Sequence, residues 1–128
     1  MVKEGVGNYR KYIVDILEYI TKITRYIKGI SLEKLSGDER TIDVVVRNFE
    51  FIRDACGQLP KEVKDKYPEI SWRDVINFRK IIIRNDENLE ILDKDLGINL
   101  DIMWDIIENE FPPLERKIRK ILINLPRE

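Results

Sequence analysis

The chain has 128 residues, of which 43% are hydrophobic and 37% charged. This composition predicts one folded domain over residues 1–128 with a real core, not a disordered segment. Its 23 Lys and Arg against 24 Asp and Glu leave a net charge of −1, which excludes a general nucleic-acid coat and confines any RNA binding to a local patch. There is no histidine and a single cysteine, Cys56, which excludes Ser-His-Asp and Cys-His catalysis, the usual zinc sites and a disulfide framework.

In chain order the pattern reads as helices. The N-terminal segment has no apolar signal-peptide region, and Gly5-Val6-Gly7 reads as a flexible terminus, since a lone GxG without a preceding strand is no nucleotide loop. Tyr9, Tyr12, Ile13, Ile16, Leu17, Ile20, Ile23, Ile27 and Ile30 give the stripe of a long amphipathic helix over 8–30, with Gly29 placed to end it. Ser31 is positioned to cap a short helical turn. A second long helix is expected between Gly37-Asp38 and Leu59-Pro60, on the stripe Ile42, Val45, Phe49, Ile52, Cys56 and Leu59. A second apolar row on it, Val44, Phe51 and Ala55, marks a candidate dimer face, because a lone bundle would leave it wet.

Pro60 to Pro68 is a polar connection with room for one helical turn, and Ser71 reads as the N-cap of a third helix carrying Trp72, Val75, Ile76, Phe78, Ile82 and Ile83. Residues 85–97 lack a period and read as a loop. The last helix starts near Asn99, and Pro112-Pro113 inside its stripe predict a kink near 108–112 with helix on both sides. No run approaches the ~20 apolar residues of a membrane span. The fold class is all-α: an antiparallel up-and-down bundle of four to five helices. One apolar cysteine fits a reducing compartment, so a cytoplasmic protein is expected.

Charge is unevenly spread. Residues 1–84 carry +4, residues 85–110 carry −8, and residues 111–128 carry +3. Asp101, Asp105 and Glu108 share one helix face, but without a second carboxylate helix they read as a solvated face, and no metal or cofactor is expected. Arg47, Asn48 and Lys80 are candidates for contacting an anion or RNA. Arg79 leans toward the buried side of the third helix, so it is either a phosphate clamp or the partner of an internal carboxylate, with Asp54, Glu50 and Asp15 as the options.

Longer stretches carry a resemblance. They include Tyr12-Ile13-Val14-Asp15-Ile16-Leu17, Tyr26-Ile27-Lys28-Gly29, Val46-Arg47-Asn48-Phe49-Glu50-Phe51-Ile52, the prolines around Tyr67, Trp72-Arg73, and Asp101-Ile102-Met103-Trp104 followed by Pro112-Pro113-Leu114. Across about 8–125 the chain resembles the HepT-like HEPN proteins. The resemblance implies a dimerising helical bundle that acts as a metal-independent RNase toxin, silenced by a minimal nucleotidyltransferase antitoxin. It implies a motif of arginine, four to six residues, histidine, one residue, then a tyrosine that the partner can adenylylate.

Arg79 matches the motif arginine. The histidine position falls on Arg84, or on Asn85 or Asp86 at looser spacing, and the tyrosine position on Asp86, Glu87 or Asn88. With neither residue present, the resemblance implies a weak or silent RNase. An RNase-type toxin subunit, a non-enzymatic helper subunit beside a nucleotidyltransferase, and a dimeric scaffold are the competing functions.

Overall fold

The structure, a computed structural model, describes residues 4–83 and 97–125. Helix α1 spans Glu4–Ile27, α2 Leu32–Ser36, α3 Glu39–Gly57, α4 Lys61–Lys66 and α5 Trp72–Ile82. Helix α6, Leu100–Asp105, runs through a π-helical stretch, Ile106–Glu110, into α7, Phe111–Asn124. Among the described residues there is no strand, only an isolated antiparallel bridge between Ile83 and Ile98. The architecture is the all-α helical bundle expected.

Each element follows from local chemistry. The isoleucine stripe of α1 is buried at Ile13, Ile16, Ile20 and Ile23, and each such burial contributes roughly 1.5–3 kcal/mol before entropy is counted. Helix propagation is cheap once nucleated, so α1 extends back to Glu4 and takes in Gly5-Val6-Gly7, which are not the flexible terminus expected. Gly29, at φ +82°, turns the chain out of α1. The Ser31 hydroxyl accepts from Lys34 N at 3.1 Å and caps α2. Asp38 caps α3, accepting from Thr41 N at 3.0 Å and from its hydroxyl at 2.7 Å. Ser71 does sit at the start of α5, but its side chain makes no capping bond.

The proline effect is realised as a π turn. Pro112 and Pro113 lack the N–H groups that would bond to Glu108 and Asn109. The ladder widens instead, with Phe111 N donating to Ile106 O. Helix lies on both sides, as expected, and the irregularity falls just ahead of the prolines.

Helix α3 is central, packing on α1 along one side and α5 along the other. Phe49 of α3, Phe78 of α5 and Phe111 of α7 meet with ring centroids 5.4 to 6.3 Å apart. This aromatic cluster fixes the relative rotation of α3 and α5. No helix among the described residues is long and apolar enough to cross a membrane.

Candidate functional site

The aromatic cluster sets up the site directly. Glu50 follows Phe49 on α3 and Arg79 follows Phe78 on α5, so the Phe49–Phe78 contact inside brings the two charged side chains together at the rim. Arg79 Nε donates to Glu50 Oε2 at 3.0 Å, and Nη2 makes an ion-pair contact with the same oxygen, also at 3.0 Å. The side chains keep 30% and 35% of their surface, so the pair is neither sealed in the core nor freely hydrated. Of the carboxylates open to Arg79 in the sequence, Glu50 is the partner.

Glu50 also lines a groove of about 640 Å³ along the outer side of α3. Arg47, exposed, lies on the same groove, joined by Lys22 from α1 and Arg40 from the first turn of α3. Asp43 is the other carboxylate on the lining, and Ile98 adds an apolar side chain to it. Three cations face two carboxylates, and one of the carboxylates is held by Arg79. The groove therefore favours an anion.

Asn48 is 4% exposed. Its Nδ2 donates to Val44 O at 2.9 Å, while Oδ1 is buried without a partner. The Val44 carbonyl fixes the amide this way round, because the reverse would set two acceptors against each other. An unpaired acceptor suits a donor group, so the anion-binding role expected for Asn48 passes to Arg47 and its neighbours. Lys80 is exposed on α5 and does not line the groove. Arg84, Asn85 and Asp86 at the histidine position, Asp86, Glu87 and Asn88 at the tyrosine position, and all but the last residue of the loop expected over 85–97 lie outside the described residues.

The second apolar row of α3 is only partly an outer face. Val44 is half-buried and Phe51 is 37% exposed, and both line the groove. Phe51 stacks on Tyr19 of α1 with centroids 5.3 Å apart. Burial, then the charges of Asp15, Glu18 and Asp54, raise the Tyr19 pKa, so this phenol stays protonated at neutral pH. Ala55 is 7% exposed and belongs to the core. It lies three residues beyond Ile52 and faces inward, because both flanks of α3 are covered; it is no part of a dimer face.

Other chemistry is closed off. Burial pushes the Cys56 thiol up to about 12, so it is no thiolate nucleophile. Asp101, Asp105 and Glu108 are exposed, the solvated face expected of them. Among the described residues no group of three acidic, cysteine or histidine side chains is placed to hold a metal. Lys22 carries no spacing signal in the sequence, since only the packing of α1 on α3 brings it beside Arg47; Arg40, seven residues before Arg47 on α3, shares its helix face and could have been found by that spacing.

The family model "Ribonuclease HepT-like" matches residues 16–121. A protein of Caldanaerobacter subterraneus subsp. tengcongensis named "Putative RNase TTE0752" is 30% identical over 113 residues, covering 88% of this chain and 93% of that one. Another, "Putative RNase MJ0127" of Methanocaldococcus jannaschii, is 28% identical over 119 residues, covering 93% and 91%. "Probable ribonuclease HepT" of Thermococcus cleftensis is 26% identical, covering 89% of this chain and 96% of its own. No solved structure matches the chain. The matched span takes in α3, α5 and the groove between α1 and α3, and the chain belongs to the HepT-like ribonuclease family.

Proposed function

We propose that this chain is a HepT-like, toxin-type RNase subunit that pairs with a minimal nucleotidyltransferase, and that its own metal-independent RNA cleavage is weak. The observation that carries the reading is the cationic groove beside Arg79–Glu50 in a member of a ribonuclease family. Lys22, Arg40 and Arg47 neutralise phosphate, and Arg79 offers charge to a developing phosphorane.

The chain has no histidine at any position. An arginine at the histidine position, Arg84, stays protonated and cannot accept a proton. Losing the histidine's part in acid–base catalysis slows the reaction. Asp86, Glu87 and Asn88 offer no phenol to adenylylate, so the nucleotidyltransferase restrains this subunit by binding alone. A homodimer in the cytoplasm, meeting through Val44 and Phe51 beside the groove, completes the reading.

The test is binding of a fluorescent single-stranded RNA followed by anisotropy. Three phosphate contacts predict a slope of log K on log salt of about −2, and Arg47→Ala should reduce its magnitude by about 0.7. Absence of salt-dependent binding contradicts the reading.

A further inference from the structure

We propose that Glu50 is the general base of this protein's RNA cleavage, held and oriented by Arg79. The inference rests on the RNA-cleaving function proposed above and names the group that moves the proton. Three observations carry it. Glu50 lines the same groove as Lys22, Arg40 and Arg47, where a phosphodiester would lie. The hydrogen bond from Arg79 Nε and the ion-pair contact of its Nη2 both fall on a single oxygen, Oε2. Among the described residues no donor reaches Oε1, which leaves one lone-pair-bearing oxygen of a fixed carboxylate available to a substrate hydroxyl. The Phe49–Phe78 contact behind the pair holds both helices in register, with centroids at 6.3 Å.

The step balances without a cofactor. Glu50 Oε1 takes the proton of a ribose 2′-OH, and the 2′-oxygen forms a bond to the adjacent phosphorus. The bond from phosphorus to the 5′-oxygen breaks, the departing oxygen takes a proton from water, and the proton that Glu50 then releases neutralises the hydroxide left behind. The products are a 2′,3′-cyclic phosphate end and a 5′-hydroxyl end. The guanidinium that anchors the base has N–H donors that Glu50 does not use, which leaves them for the charge growing on the phosphorane oxygens. A carboxylate is a weak base and the groove supplies no matching acid, so the reaction is slow.

The test is the pH–rate profile of wild type and Glu50→Gln on an unstructured RNA in excess chelator, with RNA binding measured on the same preparations. A glutamine keeps an oxygen for Arg79 and removes the base. The proposal predicts an acid limb in the wild-type profile that is absent from Glu50→Gln. It predicts a loss of ~10²–10⁴-fold in Glu50→Gln, with RNA affinity and melting temperature unchanged. Wild-type rates in Glu50→Gln would overturn it, as would a rate that climbs with hydroxide through pH 9. RNA bound but uncut by wild type at every pH overturns the Glu50 assignment and leaves the RNA-binding function standing. Failure to bind RNA at all removes both.

Discussion

Arg79 and Glu50 separate stability from chemistry. With about a third of each side chain exposed, the pair contributes about 1 kcal/mol or less to folding. Arg79→Ala is therefore expected to unfold in urea close to wild type, and a loss of several kcal/mol would make the pair a structural prop instead. At Asp38 the sign of the pH effect is fixed by its partners. The Thr41 hydroxyl, then its backbone N–H, stabilise the carboxylate and lower its pKa from 3.8. A lowered native value adds stability above 3.8 that is lost as pH falls through the native value. Thermal melts of Asp38→Ala should lie below wild type at neutral pH and converge on it in acid. Cys56, pushed up to about 12 and 0% exposed, should react with a thiol reagent at pH 8 only as fast as the protein unfolds.

Among the elements, the helices with one clean stripe were legible, because a 3.6-residue period maps directly onto burial. The buried isoleucines of α1 and the Ser31 cap sit where spacing puts them, and α3 starts right after the Gly37-Asp38 boundary. Ala55 was not legible: one row of α3 reads the same whether a neighbouring helix or solvent covers it, and the packing of α1 and α5 decides. The π turn was half legible, since the prolines require a broken ladder but do not say how it is repaired. Two glycines test the helix ends. Gly29 needs its positive φ of 82°, so Gly29→Ala should cost about 1 kcal/mol. Gly57 is helical, and the space a methyl group would take there is open. Gly57→Ala should therefore stabilise by ~0.4–1 kcal/mol. Differential scanning calorimetry of both variants checks the contrast.

On the scale of the whole molecule, the groove joins what the sequence kept apart. Arg47 was visible as a basic residue and Val44 and Phe51 as an apolar row, yet nothing in their spacing puts them on one surface with Lys22 of α1. On the proposed function, a second copy and an RNA strand would meet this protein at neighbouring positions. If Val44 and Phe51 form the seam of a homodimer, light scattering should give twice the 15.3 kDa chain mass. Val44→Asp should shift it to monomer, because a buried unpaired carboxylate is costly. A monomer at all concentrations would leave the groove to RNA alone.

The central proposal is that this HepT-like protein cleaves RNA slowly, by Arg79 acting through Glu50 at the edge of the α3 groove without histidine. Its most direct test is the single-turnover rate of cleavage of an unstructured RNA in excess chelator, for wild type beside Arg79→Ala. The account predicts slow cleavage by wild type, lost in Arg79→Ala while folding and stability are nearly unchanged. Rapid cleavage by wild type, or a rate that Arg79→Ala does not alter, would contradict it.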